Sequence, residues 1–260
     1  MTFEKLRYAV DDGVATVTLD DPETRNSLSE QMLSELTAAF GLVREDPAAR
    51  VAVLASSHEK VFSAGGNLAG FGADATTVDK YDASTAFIEL FETIGTLGKP
   101  SIVAADGHVL AGALGVAMAC DLIIASDKAT FGTPEITVGL FPFMIMALIY
   151  RNVGRKKTNE MLLLGSRLNA DQAREAGIVN RIAKGEEFEP AVAEWAQQLA
   201  AKSPLIMRLG KDAMWRQMDM PLHEALEFLR SQLAIELSTE DAIEGVTAFF
   251  EKREPNWKGR

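Results

Sequence analysis

Gly107-His-Val-Leu-Ala-Gly-Ala-Leu-Gly115 is the stretch on which the reading of this chain turns. It lies between an apolar run, Ser101-Ile-Val-Ala-Ala105, and a run of small residues that ends at Cys120-Asp121. Glycines and alanines here let the backbone approach a ligand that bulkier side chains would keep away. A helix starting near Gly112 would turn its free N–H groups outward as an anion-binding site. Upstream stands a second such stretch, Phe62-Ser-Ala-Gly-Gly-Asn-Leu68. Two separated backbone donors aimed at one point form an oxyanion hole; taken alone, Ala64-Gly65-Gly66 reads more readily as a tight turn.

Around these stretches strand and helix signals alternate. Leu6–Val10 and Val14–Leu19 read as a hairpin about Asp11-Asp-Gly13. Ser27-Leu-Ser-Glu30 has the spacing of a capping box, and behind it Met32, Leu33, Leu36, Ala39, Phe40 and Val43 recur at helical spacing up to about Arg44. Strands are predicted at Val51–Ala55, Ile102–Ala105, Leu122–Ala125 and Ile178–Ile182. Helices are predicted over 84–97 and near 113–119, 143–150, 155–164 and 170–176, with Gly177 closing the last. Residues 66–82 read as a loop. This alternation marks an α/β core. After Lys184 only helical patterns follow, at 187–202, 204–218, 221–237 and 239–252, with Ser203 and Ser238 as caps. The organisation expected is a mixed core over residues 1–200 and a helical region over 201–260.

Composition narrows the partners. The 260 residues are 47% apolar and 24% charged, ordinary for a globular chain. A net charge of −11 argues against nucleic acid, which needs clustered Lys and Arg. No apolar run is long enough to span a bilayer, and the start carries no secretory pattern, so a cytoplasmic location is expected. Cys120 is the single cysteine; it excludes an internal disulfide and reads as a buried small residue rather than a nucleophile. His58, His108 and His223 show no metal-ligand spacing, so no metal is expected.

Phe62-Ser-Ala-Gly-Gly-Asn-Leu68, Lys99-Pro100 through Asp106-Gly107, Cys120-Asp121 and Phe131-Gly-Thr-Pro-Glu135 together resemble the enoyl-CoA hydratase/isomerase superfamily, the crotonase fold. Asn26-Ser-Leu28, Leu168 through Val179, and Phe250-Glu-Lys-Arg253 followed by Trp257 extend the resemblance from about Val14 to Trp257. It implies an α/β spiral of β-β-α turns, with a C-terminal helical region that builds a homotrimer or a dimer of trimers. It also implies an acyl-CoA thioester as substrate, coenzyme A being part of that substrate, and no separate cofactor.

The resemblance assigns the oxyanion donors to the N–H groups of Ala64 and Gly112. The base falls to Glu135, which the apolar neighbours Phe131, Ile136 and Val138 would partly desolvate, raising its pKa. Arg25, Ser63 and Ala64 are expected at coenzyme A, with Lys252 and Lys258 reaching it from a neighbouring subunit; the three cations fit solvated surface charges equally well. Phe71, Phe141, Phe143 and Met144 are expected to line the acyl pocket. Asn67 replaces the family's usual aspartate and is expected to cap a helix.

Two departures matter. Hydratases of the family carry a further glutamate where this chain has Gly115, and a glycine-rich stretch where it has Gly139-Leu-Phe-Pro-Phe-Met-Ile-Met146. Phe143 and Met144 are expected to fill the space of the water a hydratase must hold. The pattern resembles the Δ3,Δ2-enoyl-CoA isomerases, whose chemistry needs one base. Phe143 stands where a dienoyl-CoA isomerase or a chlorobenzoyl-CoA dehalogenase would want a carboxylate. A decarboxylase or ring-forming synthase stays open. So do a hydratase using Glu135 alone or with Glu89 or Glu92, and a catalytically weak acyl-CoA-binding protein.

Overall fold

Asp12 and Gly13 both take positive φ, +42° and +80°, the geometry a two-residue hairpin requires. They join β1 (Leu6–Asp11) antiparallel to β2 (Val14–Leu19). A computed structural model describes residues 2–66 and 76–260 of the chain; Phe71 and Asn67, expected in the acyl pocket and at a helix cap, lie outside the described residues.

β2 opens a six-stranded sheet in the order β1-β2-β3-β5-β7-β10, parallel from β2 onward. Its further members are β3 (Val51–Ser56), β5 (Ser101–Ala105), β7 (Leu122–Ser126) and β10 (Arg181–Ala183). Both faces of its central strands are covered, which is why β3, β5 and β7 read as nearly unbroken apolar runs. Ala52, Leu54, Val103 and Ala105 face one cluster with α1 (Glu30–Glu45) and α3 (Thr85–Gly95). Val51, Val53, Ile102 and Ile124 face another, covered by Phe188, Ala191, Val192 and Ala196 of α8 (Phe188–Ala200).

A second sheet pairs four strands of three residues, β4 (Val61–Ser63), β6 (His108–Leu110), β8 (Thr130–Gly132) and β9 (Arg167–Asn169), in that order. Each of β3, β5 and β7 is followed by its short partner β4, β6 or β8 and then by helix, so the expected β-β-α recurrence is present. The helices that follow are α2 (Thr77–Ala83) before α3, then α4 (Gly112–Ala119), α5 (Phe143–Asn152), α6 (Arg155–Leu164) and α7 (Ala170–Glu175).

Several boundaries differ from the sequence reading. The cap of α1 is Ser29, whose side chain accepts from the Met32 N–H, not Ser27. The 66–82 loop contains α2, started by a capping box of Thr76 and Asp79. The last strand is β10 at Arg181–Ala183, later than 178–182.

The helical region comprises α9 (Pro204–Gln217), α10 (Leu222–Leu237) and α11 (Glu240–Glu251). Ser203 caps α9 through the Ile206 N–H as expected, but Thr239, not Ser238, caps α11. This region is pinned to the core. The buried Lys211 pairs with Asp121, whose other oxygen accepts from the N–H and hydroxyl of Ser101. Trp215 lies across Gly95, where any side chain would collide with the indole.

Candidate active site

The short sheet brings the expected residues together. β4, β6 and β8 are neighbouring parallel strands with β6 in the middle. Their successors, 64–66, 111–112 and 133–135, therefore leave from one end, a strand spacing of about 5 Å apart. Ligands of parallel sheets bind at this end. The Ala111 N–H donates to the Gly132 carbonyl at 2.9 Å, tying the loop of Gly112 to that of Glu135. Gly65, at φ +89°, packs on the other side: a Cβ there would sit 2.5 Å from the Ala111 Cβ and 3.1 Å from the Gly112 nitrogen. Only glycine permits so close an approach with that backbone.

Ala111 takes φ +53° although it is not glycine. It turns the chain from β6 into α4 and leaves the Gly112 N–H at the first helical position, without an acceptor among the described residues. α4 is buried almost throughout, from Ala113 to Met118, between Phe87 and Phe91 of α3 and Ile145 of α5. Such packing fixes the direction of the donor.

The second donor requires a correction. The Ala64 N–H already donates to the Arg25 carbonyl at 3.0 Å, so it is not free for a ligand. The Gly65 N–H donates to the Ser63 hydroxyl at 3.2 Å. Gly66 is the first residue of the loop whose N–H has no acceptor among the described residues. Ser63 is also corrected. It is fully buried, and its hydroxyl donates to the Asn26 carbonyl at 2.6 Å, so it latches the loop rather than contacting coenzyme A.

Asn26 organises this latch. It is fully buried; its Oδ1 accepts the Asp21 N–H at 2.8 Å, and its Nδ2 donates to the Ser56 hydroxyl and the Phe62 carbonyl. The residue sits at φ +52°, a region asparagine tolerates better than most. Asn26→Ala strands these partners and is expected to cost about 2–3 kcal/mol of unfolding free energy, measurable by urea denaturation; an unchanged midpoint would dismiss Asn26 as the organiser.

Glu135 follows Pro134 in a 3-10 helix, Pro134–Val138, closed by Gly139 at φ +78°. Thr133 anchors its start by donating to the Met161 carbonyl at 2.9 Å. The carboxylate is half-buried, and its Oε2 is buried with no hydrogen-bond partner. Burial pushes its pKa above the usual glutamate range, opposed by a weaker backbone hydrogen bond. Ile136 and Val138, expected to desolvate it, are exposed; of the three named neighbours only Phe131 is buried.

The space at Gly115 is filled, but not by the residues expected. Phe143 is 69% exposed at the first turn of α5, against Phe141, and Met144 is half-buried against the core. Two residues into that helix, Ile145 is 3% exposed, and its Cγ2 lies 2.2 Å from where a Cβ on Gly115 would stand. Phe91 closes the same space at 3.1 Å. The periodicity of α5 carried this signal, since Ile145 and Ile149 are one turn apart and both buried.

The remaining residues divide. Arg25 is exposed beside the Ala64 loop, where its carbonyl is already engaged. Lys252 and Lys258 are exposed in the C-terminal segment, and Lys258 N–H donates to Asp241, whose carboxylate caps that tail. No described bond ties either lysine to the site within one chain. Glu89 and Glu92 are exposed on α3, while Phe87 and Phe91 of the same helix face α4. Cys120 is buried, which raises its thiol pKa to about 12, and His108 Nδ1 lies 2.8 Å from the Thr130 hydroxyl; both fit packing roles. Among the described residues no cluster of metal-ligating side chains occurs, and no helix is long and apolar enough to cross a membrane.

The architecture recurs in solved proteins. The enoyl-CoA hydratase of Mycobacterium smegmatis superposes with a TM-score of 0.94 at 33% identity, over 98% of this chain and 99% of that one. Human enoyl-CoA hydratase domain-containing protein 3 gives 0.94 at 26% identity, over 98% and 100%. Among curated relatives, a putative enoyl-CoA hydratase of Thermus thermophilus is 35% identical over 94% of this chain and 97% of its own length. The carnitinyl-CoA dehydratase of Escherichia coli K12 is 35% identical over 99% of both. The family model for enoyl-CoA hydratase/isomerase matches residues 9–260, and the chain belongs to that family of acyl-CoA enzymes.

Proposed function

We propose that this protein shifts the double bond of a 3-enoyl-CoA to the 2-position, with Glu135 as the only acid/base. The thioester oxygen lies between the N–H groups of Gly66 and Gly112. The Glu135 carboxylate takes a proton from C2, the electron pair spreads into a dienolate, and negative charge collects on the oxygen. Each preorganised donor stabilises that charge by about 3–4 kcal/mol. The carboxylic acid then returns the proton at C4, and the conjugated 2-enoyl-CoA leaves. A carboxylate with a raised pKa suits both halves of this transfer.

The observation that carries this reading is Ile145 against Gly115. Hydration adds water across two carbons and calls for a second group to hold and split it; here a branched apolar side chain fills that place. Incubation with 3-enoyl-CoA and 2-enoyl-CoA in separate assays is expected to show faster consumption of the 3-enoyl thioester. Faster hydration of 2-enoyl-CoA would instead support the second reading, a hydratase, which the names of the Thermus and Escherichia relatives favour.

Glu135 must be ionised to take the C2 proton, and its pKa is raised by burial. The acid limb of kcat/KM is therefore expected above the ordinary glutamate range, with rate lost as pH falls through it. A limb at the value of a solvated glutamate would show that Glu135 is not the titrating base.

The surface left by one chain fits assembly. Leu222, Leu226, Ile243, Val246, Phe249 and Phe250 stand exposed on α10 and α11, an apolar face of the kind that marks an interaction site. Copies of the chain packing there as a homotrimer or dimer of trimers would cover it, and would carry Lys252 toward a neighbour's substrate. A cytoplasmic enzyme without cofactor completes the reading.

A further inference from the structure

A cleft of about 310 Å³ opens far from the loops of Gly66, Gly112 and Glu135. Arg44, Arg50, Lys99 and Arg208 line it, together with Pro204 and Leu205 at the start of α9, and no carboxylate does. This is unexpected in a chain with 37 acidic and 26 basic residues. None of the four cations is ion-paired among the described residues, although Lys5, Arg7, Lys128, Arg151 and seven other basic residues are.

The hydrogen bonds that hold these cations in place go to carbonyls and a hydroxyl, not to carboxylates. Lys99 donates to the Val43 and Asp46 carbonyls at 2.6 and 2.7 Å. Arg44 donates to the Thr93 and Thr96 carbonyls. Among the described residues the Arg50 guanidinium reaches only the Lys202 carbonyl, at 3.5 Å, and its Nε has no acceptor. Arg208 is exposed, its stem packed on Gly98, and one carboxylate, that of Asp212, lies near the same glycine at the cleft's edge without forming an ion pair. The Leu205 N–H at the start of α9 also lacks an acceptor among the described residues. Glu45 and Asp46 act on Lys99, and Arg50 acts on Asp241, at a distance, but none of these acids lines the cleft.

We propose that this cleft is a second binding site for a small phosphate-bearing anion, separate from the acyl-CoA site. Guanidinium groups match the paired oxygens of a phosphate, and cations without an ion-pair partner at a concave surface are the arrangement that binds one. The cavity is at the small end of ligand sites, right for a phosphate ester or pyrophosphate. It lies at the opposite end of β3 from the loops of the candidate active site. Arg50 precedes β3, whereas the site loops hang from Asn26 at Ser56, the far end of that strand, roughly 17–20 Å away.

The test is calorimetric titration of the full-length protein with sodium pyrophosphate and with inorganic phosphate, at ionic strength held constant by sodium chloride. Saturable pyrophosphate binding is expected, weakened about tenfold or more in Arg208→Gln and in Arg50→Gln and partly kept in Arg208→Lys. Turnover of enoyl-CoA in phosphate-free buffer should be the same in all three. Arg208 is exposed, so its variants test the site even where Arg50→Gln fails to fold. Three results would overturn the proposal: no saturable binding, equal binding by wild type and Arg208→Gln, or displacement of pyrophosphate by coenzyme A in a one-to-one manner, which would mean the anion reads the acyl-CoA site instead.

Discussion

Glu135→Gln is expected to lower turnover of the preferred enoyl-CoA by about two to four orders of magnitude while leaving affinity for the thioester near that of wild type. The amide keeps the shape of the carboxylate and removes its basicity. Stability should move the other way. Burial raises the pKa of Glu135, so the folded protein binds this proton more tightly than the unfolded chain does. At neutral pH the ionised form is held against its solvation, and the contribution is unfavourable; it diminishes as pH falls through the raised value. Glutamine relieves that penalty, so the urea midpoint at pH 7 should stay level or rise. Loss of activity together with loss of stability would point to a structural glutamate, and retained activity would remove it from the chemistry altogether.

Gly115→Glu is expected to destabilise the protein by about 3 kcal/mol or more, because it combines overpacking with an unpaired carboxylate in an apolar site. The first atom of the new side chain would already meet Ile145 Cγ2 at 2.2 Å. Phe143→Gly should bring no relief, since Phe143 is exposed. Ile145→Gly in the same chain should restore part of the lost stability and open room for a carboxylate and a water. Hydration of 2-enoyl-CoA by that double variant should exceed that of wild type. Urea denaturation of the single and double variants, with hydratase assays alongside, checks the series; a Gly115→Glu protein as stable as wild type would show that Ile145 is not the obstacle.

Much of this was legible in residue order. The long parallel strands announce themselves as apolar runs because two faces are buried, α1 as a periodic stripe and α9 by its cap Ser203. The short sheet was not visible from periodicity, for three-residue strands such as Val61–Ser63 and Thr130–Gly132 are too brief to show any. Only the family pattern supplied it. The loop expected to offer a donor is legible, but the amide without an acceptor among the described residues is that of Gly66, two residues beyond Ala64. Which amide is free depends on the Arg25 carbonyl, held at φ +58° some forty residues earlier, and nothing in Ala64-Gly65-Gly66 encodes that bond. The size of Phe143 suggests a pocket filler; helical phase decides otherwise, turning Ile145 inward and Phe143 to the surface.

The contact between Gly115 and Ile145 also bears on ancestry. A lineage that holds a glycine beneath a branched neighbour has no easy single step back to an acid at that position. Acquiring the acid first meets a clash, and trimming the isoleucine first opens a hole, at a cost of about 2–5 kcal/mol for a change to alanine. Selection sees each intermediate before it sees the pair. Gly115 and Ile145 therefore act as a ratchet: an acid at residue 115 is reached only by changing both positions.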